Sequence, residues 1–250
     1  MLPLAGKTAV ITGSARNIGR AIALMLAADG ADILVHAKQD RNAAEAVADE
    51  VRAIGGKASV CLADVTSQEA AEGLARSAIE AFDRINIIVL NAAIRRQNPF
   101  LEINFAEWRE VMAVDLDSPF LCMKACLPHM LATGDGGRVI TISGTTPHLA
   151  KANRAHVAAA KMGLLGLTRT IATEFGKHGI TANCVAPGHI DTVRGESAGV
   201  RSNAGGDRPI QRFGTIDEIA AMVRHLCRPE SAYTTGQCLH VNGGMFYAGG

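Results

Sequence analysis

Short apolar runs rich in Val, Ile and Leu alternate with longer amphipathic segments along the whole chain, and this alternation constrains its fold more than any other feature. The runs at 7–12 (KTAVIT), 32–36, 59–62, 85–90, 138–142, 181–185 and 238–241 read as strands. The segments at 17–29, 43–54, 67–82, 107–131 (with Pro128 inside it), 157–176 and 216–226 read as helices. Strands separated by helices pair in parallel and leave the helices to cover both faces, so the expected fold is α/β with a doubly wound parallel sheet. The composition agrees: 48% hydrophobic but only 4% aromatic residues, the aliphatic core that strands buried on both faces require. With 250 residues and no repeat or low-complexity linker, 1–250 reads as a single domain. Its least regular stretch, 188–213, rich in Gly, Arg, Asp and Ser, reads as a mobile substrate loop or lid.

Charge and cysteine usage narrow the function classes. A formal net charge of +1 argues against nucleic acid or an anionic membrane surface as a partner. No apolar run is long enough to span a bilayer, and the first residues lack the pattern of a secretory signal. The six cysteines (Cys61, Cys122, Cys126, Cys184, Cys227, Cys238) form no CxxC pair. They read as reduced, mostly packed thiols of a cytoplasmic protein, and no metal site is expected.

The first strand runs into Thr12-Gly13-Ser14-Ala15-Arg16-Asn17-Ile18-Gly19, after which a helix begins. Glycines let backbone approach a pyrophosphate closely, and the helix N-terminus offers its free N–H groups and partial positive charge to the phosphates. Placed between the first strand and first helix of a βαβ unit, the turn points to a Rossmann domain that holds a dinucleotide. Three further marks fall at strand C-terminal ends, where open α/β sheets bind ligands. Asp64-Val65 closes the third strand, where a carboxylate can accept a hydrogen bond from an adenine amino group. Asn91-Ala92-Ala93 closes the fourth with small residues that let backbone lie against ribose and nicotinamide. Pro187-Gly188, with Ile190 behind it, borders the nicotinamide face.

With these residues the chain resembles the short-chain dehydrogenase/reductase family, in the branch of the 3-oxoacyl-carrier-protein reductases. The likeness covers essentially the whole length. It includes Gly137–Ile142, Lys161, Asn183, Pro209 with Arg212-Phe213-Gly214, and Thr235-Gly236 with Val241-Asn242-Gly243-Gly244. One departure lies in the turn, where the family usually has Gly and this chain has Asn17, a residue that tolerates left-handed backbone. The resemblance implies a nicotinamide cofactor, a small-molecule substrate and a homo-oligomer, tetramer or dimer. Family members that prefer NAD place an acid at the end of the second strand. Here that end reads Val35-His36-Ala37-Lys38 with no carboxylate before Asp40, and Arg16 and Lys38 are placed to grip a 2′-phosphate. NADP(H) is therefore favoured over NAD(H).

The same resemblance implies a catalytic tetrad of Tyr, Lys, Ser and Asn. Tyr and Lys stand at i and i+4, so that both point from one helix face at the nicotinamide. Only Lys161 is present. The Tyr position is Val157, the Ser position Gly144 and the Asn position Asp115. The chain's two tyrosines, Tyr233 and Tyr247, lie elsewhere in the sequence. Candidate substitutes are Ser143 as a displaced oxygen donor, His156, His148 and His189 as acids or bases near neutrality, and Asp115 if burial raises its pKa. Arg95-Arg96, and Arg194, Arg201, Arg208 and Arg212 in the irregular stretch, suit recognition of a carboxylate or phosphate. Three readings stay open: an NADP-dependent oxidoreductase with a non-standard proton donor, a nucleotide-binding pseudoenzyme, and a lyase or isomerase on the same scaffold.

Overall fold

A computed structural model describes residues 1–193 and 208–247. Seven parallel strands form one sheet: β1 (Thr8–Ile11), β2 (Asp32–Ala37), β3 (Ala58–Leu62), β4 (Ile87–Leu90), β5 (Gly137–Ile142), β6 (Ile180–Pro187) and β7 (Cys238–Val241). Their order is β3-β2-β1-β4-β5-β6-β7. The chain winds outward from β1 in one direction, then restarts at β4 and winds in the other. The C-terminal ends of β1 and β4 therefore flank a crevice that no crossover helix fills.

The helices are α1 (Asn17–Ala28), α2 (Arg41–Ala53), α3 (Gln68–Phe82), α4 (Phe105–Met112), α5 (Ser118–Thr133), α6 (Thr146–Leu149), α7 (Ala155–Phe175) and α8 (Ile216–Cys227). Successive strand residues point to opposite faces and so build two cores. Ile11, Ile33, Val35, Val89 and Ile140 pack with Ile22, Leu26, Val47 and Val223 beneath α1, α2 and α8. Val10, Leu34, Ile88 and Val139 pack with Leu74, Met123 and Leu164 beneath α3, α5 and α7. Each such fully buried aliphatic side chain contributes about 1.5–3 kcal/mol.

The predicted helix over 107–131 is one path broken by a π turn at Ala113–Asp117 between α4 and α5. Pro119, near the start of α5, follows directly and donates no N–H to the ladder. That turn carries Asp115 inward, where it is fully buried. The short α6 is a second departure, since its four residues are too few to show a period. Most of the expected loop or lid, including Arg194 and Arg201, lies outside the described residues.

Helix capping differs along the chain: α1, α5, α6 and α7 begin without a side-chain cap. Side chains close the N-termini of α2 (Asp40 to Ala43 N–H), α3 (Ser67 to Ala70 N–H), α4 (Asn104 to Glu107 N–H) and α8 (the Thr215–Glu218 capping box). No side chain caps α1, so its first-turn N–H groups are left for another partner. Among the described residues no helix is long and apolar enough to cross a membrane.

Candidate dinucleotide and reaction site

A cleft of about 630 Å³ opens over the C-terminal ends of β1, β2, β3 and β4. Gly13, Arg16, Asn17, Ile18 and Gly19 form its floor at the α1 N-terminus, Lys38, Asp64 and Val65 one end, and Asn91, Ala92 and Ala93 the wall that leads to Ile94 and Arg95. Two glycines are required sterically. Gly13 has φ +64°, and a Cβ there would stand 3.1 Å from Ala92 Cα; a Cβ on Gly19 would stand 2.4 Å from the Gly13 carbonyl oxygen. Asn17 does take the left-handed conformation, with φ +51°. Its side chain also makes two bonds that a glycine lacks: Nδ2 donates to Val193 O at 2.9 Å, and Oδ1 accepts from Val193 N–H at 3.0 Å.

The crevice wall is fixed from behind. Thr12 Oγ1 accepts from Asn91 N–H at 3.0 Å and Ala92 N–H at 3.1 Å, while Asn91 Nδ2 donates to the Thr12 and Gly13 carbonyls, both at 3.0 Å. Sequence reasoning missed His36, which is 2% exposed and holds the turn together. Gly13 N–H donates to its Nδ1 at 3.0 Å, and its Nε2–H donates to Ala63 O at 3.0 Å. Burial lowers the His36 pKa, partly offset by the Ala63 carbonyl and Asp64. The only sequence signal for this role is a polar residue inside a run that otherwise reads as a buried strand.

Some expected contacts need correcting. Ser14 is fully buried and turns away from the cleft: its Oγ donates to Ile11 O at 2.8 Å and accepts from His36 N–H at 2.9 Å. Lys38 Nζ is paired with Asp64 Oδ2 at 2.7 Å, so a 2′-phosphate would have to compete for it, and that pairing holds the Asp64 carboxyl below its usual range. Among the described residues Arg16, which also lines the cleft, has no such partner. Gly188 is held by Val241, to whose carbonyl its N–H donates at 2.9 Å, and Ile190 bridges to Gly214. Pro187, Gly188, Ile190 and Lys161 do not line this cleft.

The reaction end departs furthest from the family pattern. Lys161 is buried; its Nζ donates to Ile142 O at 3.1 Å and stands 3.5 Å from Asp115 Oδ2. Asp115 Oδ1 accepts from Ile94 N–H at 2.8 Å, while Oδ2 has no hydrogen-bond partner. Burial pushes the Asp115 carboxyl above the usual carboxylate range against the pull of Lys161. Val157 packs in a small apolar cluster with Val111, Ala160, Ile94, Met112 and Leu116, so no proton donor stands at that position.

The other candidates are engaged elsewhere. His156 is fully buried with Nε2 3.0 Å from Glu107 Oε1. Ser143 Oγ is buried against the Cys184 thiol and turned away from the cleft lining. His148 lies against His240, Cys238 and Phe246, and His189 Nδ1 is 2.9 Å from Arg208. Of the arginines, Arg96 is committed to Glu110 and Arg212 to Glu218. Arg95 lines the cleft.

A seven-stranded doubly wound sheet with a glycine turn, an uncapped helix and a crevice wall at its switch point defines a Rossmann-type dinucleotide-binding protein. The comparisons make this specific: the chain belongs to the short-chain dehydrogenase/reductase family of oxidoreductases. A family model described as enoyl-(acyl carrier protein) reductase matches residues 13–246. The 3-oxoacyl-[acyl-carrier-protein] reductase of Synechocystis sp. is 36% identical over 246 residues, covering 98% of this chain and 99% of that protein. The Escherichia coli enzyme of the same name, FabG, is 37% identical and covers 96% and 98%. Among solved structures, a blue fluorescent protein from a metagenomic library in complex with NADPH superposes with a TM-score of 0.90 at 34% identity, covering 98% of this chain and all of that one. A dehydrogenase/reductase from Sinorhizobium meliloti gives 0.90 at 35% identity, covering 97% and 96%.

Proposed function

We propose that this protein binds NADP(H) and interconverts a carbonyl and an alcohol on a small, carboxylated molecule, with the Lys161–Asp115 pair handling the proton in place of a tyrosine. The observation that carries this reading is the cleft itself, which runs from Arg16 at the uncapped α1 N-terminus to Arg95 beside the buried pair. The residues present fit the cofactor. The glycine turn lets a pyrophosphate approach, the free N–H groups face it, and Arg16 suits a 2′-phosphate where β2 ends without an acid. A bound nicotinamide supplies or accepts the hydride.

The chain's own part is positional and protonic. Lys161 Nζ, behind the cleft wall, releases a proton to the reacting oxygen by way of one water and recovers one from Asp115 Oδ2, 3.5 Å away. Burial raises that carboxyl above its usual range, and it is reprotonated in turn from solvent. Arg95 holds the substrate carboxylate. The cofactor-binding pseudoenzyme is a second reading, favoured by the apolar packing around Val157. The free cysteines fit a reducing compartment such as the cytoplasm, and a homo-oligomeric state is proposed from the family.

Fluorescence titration with NADPH tests the cofactor site. No binding at about 1 mM cofactor, a free energy near −4 kcal/mol, sinks both readings. A carbonyl and alcohol screen with Lys161→Ala as control then separates them. Turnover lost in that variant supports the pair as the proton route, turnover unchanged refutes it, and no turnover in the parent favours the pseudoenzyme.

A further inference from the structure

Three ligand-type side chains meet at the far edge of the sheet, outside the cleft. Cys238 and His240 stand at i and i+2 on the edge strand β7 and so share one face. His148, on the four-residue α6, reaches the same point from 90 residues earlier in the chain. Cys238 Sγ is 3.9 Å from His148 Nε2 and 3.8 Å from His240 Nε2, and all three ligand atoms lie within 4.8 Å of one another. Around a tetrahedral zinc with ordinary bond lengths, S···N edges are about 3.6 Å and N···N edges about 3.3 Å. Small side-chain rotations close the difference.

The polar accounting inside this cluster is incomplete without a further partner. Two imidazole Nε2 atoms converge on one sulfur, which carries one proton and also meets the Cys184 thiol. His240 Nδ1 is buried with no hydrogen-bond partner. If Nδ1 holds the ring proton, the Nε2 lone pair points into the cluster. If Nε2 holds it, the buried Nδ1 lone pair is left unmatched. The Phe246 ring sits 5.0 Å from the His148 ring and 4.9 Å from the His240 ring, centroid to centroid, and walls the cluster. The neighbouring Cys184 thiol and burial raise the Cys238 thiol above its usual range, against a smaller pull from Arg169, so a bound metal has to displace that proton.

We propose that His148, Cys238 and His240 form a binding site for a borderline-soft divalent cation of the zinc class, with a water as fourth ligand. Binding replaces the Cys238 S–H bond with an S–metal bond and releases the proton to solvent, with no change of oxidation state. Two neutral imidazoles and one thiolate select zinc or cobalt over magnesium or calcium, which prefer oxygen ligands. The site ties α6 to β7. Because α6 follows Gly144 and precedes α7, the metal also fastens the segment that leads from β5 to Lys161. No CxxC or HxxxH spacing marks the site. The C-x-H in β7 is its only local trace, and the expectation of no metal site arose because His148 is so far away in sequence.

The test uses the full-length, reduced protein, stripped with a chelator and titrated with Co²⁺. The expected result is one equivalent bound, with a near-ultraviolet thiolate-to-cobalt charge-transfer band, visible ligand-field bands of four-coordinate intensity, and displacement of both by Zn²⁺. Zn²⁺, but not Mg²⁺, raises the unfolding temperature. Cys238→Ser removes the charge-transfer band, while Cys61→Ser, at a half-buried thiol outside the cluster, keeps it. His240→Ala weakens Zn²⁺ binding by more than the roughly 10–100-fold that loss of an outer-shell partner costs. If that β7 variant fails to fold, His148→Ala on the short α6 gives the same reading. A charge-transfer band that is absent, or that survives in Cys238→Ser, overturns the proposal, as does unchanged affinity in the histidine variants.

Discussion

At the scale of the residue, the cofactor turn depends on the charge state of one histidine. His36 Nδ1 accepts from Gly13 N–H and its Nε2–H donates to Ala63 O, so only the neutral ring fits both bonds. Protonation would set two N–H groups against each other at the phosphate turn. Burial depresses the folded pKa of His36 below the unfolded value of about 6.5. Below about pH 6.5 the unfolded chain binds more protons than the folded one, and stability rises with pH there. The contribution of His36 is thus fully present above that value and is lost as pH falls through the folded pKa. NADPH affinity measured from about pH 8 to 5 should hold through about pH 6.5 in the parent and weaken only as pH falls through the depressed folded pKa of His36. His36→Asn should flatten that arm of the profile, and an unchanged profile would reject the role. Arg16 makes a second prediction at this scale. With Lys38 held by Asp64, the proposed 2′-phosphate site rests mainly on Arg16. Its charge-assisted bonds are worth about 1.5–3 kcal/mol, so Arg16→Glu should weaken NADPH by roughly 10–100-fold while changing NADH much less. Equal losses for the two cofactors would contradict the assignment.

At the scale of the element, the uncapped start of α1 and its anchored end serve different purposes. The N-terminus faces the cleft. The C-terminus is fixed by Asp29, 2% exposed, which accepts from both Arg224 at the end of α8 and Arg228 just beyond it. This clamp ties the end of α1 to the end of α8. The two guanidinium groups hold the Asp29 carboxyl far below the usual carboxylate range. Its contribution is therefore present above the unfolded pKa of about 3.9 and is lost on acidification below it. Removing one side of a buried pair costs about 3–5 kcal/mol; both arginines are partly exposed to solvent, which reduces this to about 2 kcal/mol. Asp29→Asn should lower the unfolding temperature by about 4–8 °C at neutral pH and converge with the parent in strong acid. Little of this was legible in the sequence. Asp29 reads as an ordinary residue before the helix-ending Gly30, and its partners lie about 200 positions away. The π turn was hidden differently, since the apolar period of 107–131 runs on through it and no local residue pattern marks the break.

At the scale of the whole molecule, the alternation of strands and helices fixes the sheet and hence the crevice, and the turn and strand-end motifs place most of its lining. Those signals are local, and local signals survive in sequence. The substitutes for the absent tyrosine were not legible because their fate is decided by long-range contacts. His156 is taken by Glu107, His148 by the β7 cluster, and only Asp115 joins Lys161. Whether the molecule has lost or rerouted its chemistry can be tested by rebuilding the family pattern. A Cβ at Gly144 meets nothing closer than Pro187 O at 3.8 Å, so a serine fits there without strain. Tyrosine at 157 must push into the cluster of Ile94, Met112 and Leu116, an overpacking that costs about 1–3 kcal/mol. A positioned general acid contributes about 10²–10⁴-fold. If the parent has no proton route, Gly144→Ser/Val157→Tyr should create carbonyl reduction at that scale while NADPH affinity stays within a few fold. If Lys161 and Asp115 already carry the proton, the double variant should gain much less, and Asp115→Asn in the parent background should abolish turnover with cofactor binding intact. Substantial turnover that survives Asp115→Asn would leave the buried pair without a catalytic role.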